Sequence, residues 1–169
     1  MTLFPIRKFG DPVLNTRAAP VTEFDEQLRR LVEDMIETMY AAPGVGLAAP
    51  QIGVSKRIFV FDVNDETGAH VVINPELVET DGSWELEEGC LSVPDYWWEI
   101  TRPGHARVRG VDVDGNPVEY VGDELLGRVL QHEFDHLEGT LLLARLGRRQ
   151  RKQALKELRE EALGLPTPE

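Results

Sequence analysis

An α+β fold is the expectation for this chain of 169 residues, and three observations carry it. Apolar residues recur at helical spacing early in the chain. Short runs of β-branched and aromatic residues, bounded by turn residues, fill its middle. Helical spacing then returns near Leu125 and again after Gly147. A helix, a run of antiparallel strands, then a central and a C-terminal helix is the order of an α+β domain rather than of a parallel α/β one.

Phe24, Leu28, Leu31, Val32, Met35, Ile36, Met39 and Tyr40 repeat every three or four residues, so the spacing predicts an amphipathic helix over 25–41 with Thr22 or Asp25 near its start. Pro43-Gly44 stops it. Segments 57–63, 70–74, 76–80, 96–101, 106–113 and 118–121 read as strands, and Asp114-Gly115 as a hairpin turn between the last two. Leu125, Leu126, Val129, Leu130, Phe134 and Leu137 restore the helical period over about 123–138, and Gly139 ends that helix. A last helix over about 147–163 leads into a tail, 165–169, expected to fray. With no internal repeat, low-complexity tract or linker, residues 1–164 read as a single domain.

The formal charge of -12 excludes DNA as a partner of the protein as a whole, because phosphate contacts need a basic surface. No apolar run reaches the length of a membrane span, and the N-terminal segment lacks the pattern of a secretory signal. The one cysteine, Cys90, cannot form an internal disulfide, which fits a reducing cytoplasm.

The chemistry concentrates in His132-Glu133-Phe134-Asp135-His136. Two imidazoles four positions apart on a helix project from one face one turn apart, and can share one divalent cation. Glu133 sits about 100° round from His132, within reach of a water at that cation. A catalytic site of this kind normally has three protein ligands and an open position. The metzincin extension fails, because Leu142 stands where its last histidine belongs. Glu157, Glu160 and Glu161 lie in a polar, basic helix that reads as solvated. His70 and His105 sit at a strand start and beside a Pro-Gly turn, which leaves Cys90, in Glu88-Gly-Cys-Leu-Ser92, as the strongest third ligand. Gly44-Val-Gly-Leu-Ala-Ala-Pro-Gln51 is bare enough for a substrate to approach its backbone, and the Gln51 amide offers a donor to an oxyanion.

In order and spacing, segments 44–51, 88–92 and 131–139 resemble the three signature segments of the peptide deformylase family, and the likeness runs from about Pro5 through the last helix. The resemblance implies removal of the formyl group from N-formylmethionine at the start of newly made polypeptides. It makes Cys90, His132 and His136 metal ligands and Glu133 the general acid/base. Gln51 and the backbone N–H of Leu91 would hold the oxyanion, with Gly46 aligning the peptide. It implies Fe2+ in cells, with Zn2+, Ni2+ or Co2+ accepted in its place. By the same resemblance the methionine side chain would lie among Val45, Leu86, Leu125, Val129 and the ring of His132, with Tyr96, Trp97 and Trp98 near the rim.

Tyr96-Trp97-Trp98 is unusually aromatic, and Arg128 stands at a helix position often apolar in that family; strand packing and an exposed arginine are the plain readings. Glu88 and Arg102 are expected to pair and orient the Cys90 loop, whereas Asp135 reads as ordinary solvated helix polarity. Seven basic residues between Arg145 and Arg159 against the single acid Glu157 suggest docking on ribosomal RNA.

Overall fold

The computed structural model describes residues 2–165, so most of the tail expected to fray lies outside the described residues. Helix α1 (Glu26–Ala41) opens at Asp25, whose carboxylate accepts a hydrogen bond from Leu28 N. Seven strands follow: β1 (Gly46–Ala48), β2 (Ile58–Phe61), β3 (His70–Asp81), β4 (Trp84–Cys90), β5 (Val93–Arg102), β6 (His105–Val111) and β7 (Pro117–Asp123). Helix α2 (Glu124–Leu137) and helix α3 (Arg148–Ala162) are the last two long elements among the described residues. The α+β expectation holds, with every strand pair antiparallel.

Five strands form one sheet in the order β1-β2-β3-β6-β7, and β4 and β5 form a separate two-stranded ribbon. Strand β2, Ile-Phe-Val-Phe, is apolar at every position because both its faces are covered. Ile58 and Val60 pack with Leu28, Val32, Met35 and Met39 of α1; Phe59 and Phe61 pack with Val129, Leu130 and Leu137 of α2. Full burial of a ring such as Phe59 contributes about 1.5–3 kcal/mol. Helix α2 is thereby clamped at the sheet with its histidines turned to the β4-β5 ribbon. A third cluster joins Val93 and Ile100 of β5 to Leu142, Leu143, Leu146 and α3 residues Ala154 and Leu158.

Three strand expectations change. Segments 70–74 and 76–80 are one strand, β3, whose pairing with β6 shifts register between Ile73 and Glu76, where Pro75 cannot donate to the ladder. Strand β1 was expected only as a connecting segment: three residues, two of them small, give no period. Strand β4, Trp-Glu-Leu-Glu-Glu-Gly-Cys, has too many carboxylates to read as a strand from composition. Gly139 does end α2: its φ is +74°, and a Cβ there would lie 2.9 Å from the Asn15 carbonyl carbon.

Candidate metal centre and substrate cleft

The turn between β4 and β5 brings Cys90 against α2. Cys90 Sγ lies 3.4 Å from His136 Nε2, and the two histidine Nε2 atoms are 3.2 Å apart. One ligand atom from each of the three residues falls within 4.8 Å of the others, so this group could hold a metal ion. Metal–nitrogen bonds of about 2.0–2.1 Å and a metal–sulfur bond of about 2.3 Å at a tetrahedral angle would separate the nitrogens by roughly 3.4 Å and nitrogen from sulfur by roughly 3.6 Å. The donors present therefore fit a small divalent transition metal, and a thiolate with two imidazoles suits one chemically.

The electrostatics point the same way. Burial works to raise the Cys90 thiol, but His136 and His132 outweigh it and hold the thiol well below its usual range. Burial works to lower His132, yet Cys90 and Glu88 keep it well above the ordinary imidazole value. A cluster that holds a thiolate and retains a proton in this way favours positive charge at its middle.

Behind these three donors lies a buried ionic chain. The Glu88 carboxylate accepts from His132 Nδ1 at 3.2 Å, which turns Nε2 toward Cys90. Arg102 donates to Glu88 through Nε and Nη2, at 3.1 and 2.9 Å, and to Asp135 through Nη1 at 2.8 Å. Burial opposes ionisation of Glu88, but His132 and Arg102 outweigh it and bring its carboxyl down to about 2. The Glu88–Arg102 pair is as expected, with Asp135 a correction. Asp135 is not solvated polarity: it is buried, and also accepts from Arg145 at 2.9 and 2.5 Å. The helix period alone placed it on an outer face, and Arg102 together with the later return of the chain through Leu142–Arg145 covers it.

Glu133 is 4% exposed, and its Oε2 has no hydrogen-bond partner. Burial raises its carboxyl against the lowering pull of His132 and His136. Among the described residues the buried side-chain polar atoms without partners are Glu133 Oε2, His136 Nδ1 and Arg128 Nε, all on α2. Such atoms are rare in native interiors; Glu133 Oε2 belongs to the carboxylate set beside the histidines and Cys90, whereas His136 Nδ1 lies on the ring edge away from Cys90 and His132, which its Nε2 faces. Gly46 leaves space for Glu133: a Cβ there would lie 2.5 Å from Glu133 Oε1 and 2.8 Å from its carboxyl carbon. Gly46→Ala should therefore displace Glu133 and lower formate release at least ~10-fold while the fold and bound metal persist, since small misplacements near reacting groups cost about that or more. Parallel assays of turnover and metal content check this, and unchanged turnover would show that the carboxylate has room to spare.

Gln51 is 1% exposed and its orientation is locked: Oε1 accepts from Ala48 N at 2.9 Å, so Nε2 faces Ser92 Oγ at 3.1 Å and Cys90 Sγ at 3.7 Å. Ser92, buried completely, accepts that bond from Gln51 and was not singled out in the sequence, since a serine two residues past Cys90 carries no pattern of its own.

Gly46, Gln51, Cys90, His132 and Glu133 line a cleft of about 800 Å³ together with Val45, Leu86, Leu91, Trp97, Leu125, Arg128 and Val129. Trp97 is 60% exposed, its indole laid over Gly89, where a Cβ would lie 2.6 Å from Nε1. Tyr96 lines the cleft and stacks on Trp98, whose other neighbours belong to the third core cluster, so the aromatic run divides between cleft and packing. Arg128 is not the exposed arginine of the plain reading but 3% exposed, donating to Ile100 O at 3.0 Å and Trp84 O at 2.7 Å. Strand β4, which composition did not reveal, provides the Trp84 carbonyl, and β5 provides that of Ile100.

A thiol, two imidazoles on one helical turn and a buried carboxylate beside an open cleft define a metal-dependent hydrolase of the His-Glu-x-x-His kind. The family model described as polypeptide deformylase matches residues 3–152. A peptide deformylase of Acidothermus cellulolyticus is 51% identical over 160 residues, covering 95% of this chain and 88% of that protein. The crystal structure of a peptide deformylase from Legionella pneumophila is similar with a TM-score of 0.89 and 42% identity, over 99% of this chain and 100% of that one. A peptide deformylase from Ehrlichia chaffeensis, solved in complex with actinonin, has a TM-score of 0.89 and 38% identity over 95% of this chain and 98% of that one. The chain belongs to the polypeptide deformylase family, metal-dependent hydrolases that remove the N-formyl group from nascent polypeptides.

Proposed function

We propose that in this chain Cys90, His132 and His136 hold one divalent ion, Fe2+ in the cell, and that Glu133 moves the proton in removing formate from N-formylmethionyl peptides. The observation that carries the reading is Glu133 Oε2, buried without a partner beside the three converging donor atoms. The ion supplies Lewis acidity when bound, acidifying water and drawing charge from a carbonyl oxygen. Zn2+, Ni2+ or Co2+ would serve the same ligands in a purified protein, because affinity and availability, rather than geometry alone, decide occupancy.

Glu133 takes a proton from the attacking water as its oxygen bonds to the formyl carbon. The formyl oxygen becomes negative, and Gln51 Nε2, fixed by Ala48 and Ser92, donates to it together with the Leu91 N–H. Glu133 then gives the proton to the peptide nitrogen as the carbon–nitrogen bond breaks, leaving formate and a free amine. Gln51→Ala should lower kcat by about 100–1,000-fold, the usual effect of losing one oxyanion donor, with metal content unchanged. Turnover of a formylated tripeptide measures it, and near-normal kcat would remove Gln51 from this role.

Val45, Leu86, Leu125 and Val129, with the His132 ring, form the walls for the methionine side chain, and Trp97 covers its outer edge. Strand β1 is an edge strand whose residue Gly46 lines the cleft, so its backbone aligns the peptide in extended form. No described helix is long and apolar enough to cross a membrane, and we place the enzyme in the cytoplasm, where its formylated substrates arise. The face of α3 bearing Arg148, Arg149, Arg151, Lys152, Lys156 and Arg159 docks on ribosomal RNA in this reading. Arg145 is spent on Asp135 instead. Reversing Arg149, Lys152 and Lys156 to Glu should abolish cosedimentation with ribosomes at low salt and leave turnover of a free peptide intact; undiminished cosedimentation would reject the docking face.

A further inference from the structure

On α2, Leu125, Arg128, Val129 and His132 follow the i, i+3, i+4, i+7 spacing of one helix face, and all four line the cleft. Three of them give the pocket an apolar wall or the side of a ring. The fourth places a guanidinium in that wall. Arg128 donates to two backbone carbonyls of the β4-β5 ribbon and lies over the Trp84 ring at 5.3 Å, but its Nε–H has no partner. Its nearest carboxylate oxygen, Glu88 Oε1, is 3.6 Å away, and Glu88 is already held by Arg102 and His132. Arg128 is thus a buried cation without a carboxylate of its own, standing among the residues that line the cleft.

We propose that Arg128 is a specificity-determining residue that gives the side-chain pocket a positive wall, so that the enzyme accepts a hydrogen-bond acceptor at the δ position, including the oxygen of N-formylmethionine sulfoxide. This rests on the reading above that the methionine side chain lies along this face of α2. In a wholly apolar pocket the sulfoxide oxygen would lose its water without replacement, a penalty that corresponds to a loss of ~100-fold or more. Beside a guanidinium in a low dielectric it gains a charge-assisted partner that offsets most of that loss. Norleucine, the same length as methionine with no acceptor, gains nothing from Arg128.

The test compares kcat/KM for formyl-Met-Ala-Ser, its sulfoxide and the norleucine peptide in the metal-loaded enzyme, and the binding of the deformylated sulfoxide peptide by calorimetry. The parent should process the sulfoxide within ~10-fold of methionine, and Arg128→Leu should raise that penalty to ~100-fold or more, with norleucine matching methionine. Arg128→Lys, which keeps the charge, should restore acceptance in part. A parent that already disfavours the sulfoxide ~100-fold overturns the proposal without any variant, so a misfolded Arg128→Leu cannot shelter it. Equal sulfoxide penalties in the parent and a folded Arg128→Leu overturn it too. No formate from any of the three peptides would instead count against the deformylation reading.

Discussion

Glu133→Gln should reduce kcat/KM for a formyl-Met peptide by about 100–10,000-fold while the purified variant still carries its metal. Glutamine keeps the shape of the side chain in the space that Gly46 leaves, so ligand geometry survives and only proton transfer is lost. The pH profile separates this from a structural effect. Glu133 must be ionised to take a proton, so the acid limb of kcat/KM should follow this carboxyl and vanish in the variant. Stability moves oppositely. A folded value above the unfolded one means that the neutral form is favoured by folding; that contribution is present below pH 4.5 and lost as pH rises through the folded value. At pH 7 the chelator-stripped variant should therefore resist urea better than the equally stripped parent. A variant that loses metal along with activity would make Glu133 part of the ligand frame instead.

Arg102→Ala should destabilise the protein by about 3–5 kcal/mol, because it leaves the buried carboxylates of Glu88 and Asp135 without their shared cation. The effect reaches the centre through one further bond. Glu88 freed of Arg102 no longer holds His132 Nδ1 in place, and metal affinity should fall about 10–100-fold, the usual cost of losing a group that orients a ligand. Urea unfolding and competition with a chromophoric chelator measure the two effects, with Arg102→Lys as the milder comparison, since lysine cannot bridge two carboxylates in a fork. Intact affinity in a destabilised variant would confine Arg102 to holding the ribbon.

Helical period and the His-Glu-x-x-His spacing were readable in the chain because each is a local repeat written in a few residue types. Helix α2 carries both, and it places His132, Glu133 and His136 as the pattern requires. Strand β4 was not readable, since its carboxylates serve different partners: Glu88 faces inward to Arg102, whereas Glu85 and Glu87 face solvent. Asp135 was read as solvated, and exposure was the plain reading for Arg128, because burial of a charge depends on partners far away in sequence. For Asp135 the cover is Arg102 and Arg145; for Arg128 it is the ribbon carbonyls of Trp84 and Ile100. The need for glycine at position 46 was likewise hidden, because the atom it avoids belongs to a helix more than eighty residues later.

Anaerobic purification, metal analysis and an assay of formate release from formyl-Met-Ala-Ser in one preparation test the centre most directly. The expected result is about one divalent ion per chain, as three protein ligands with an open position require. Formate should appear in step with free Met-Ala-Ser, both should cease on chelation, and both should return when the ion is restored. A protein that holds its ion and releases no formate, or that cleaves internal peptide bonds instead, would contradict the account.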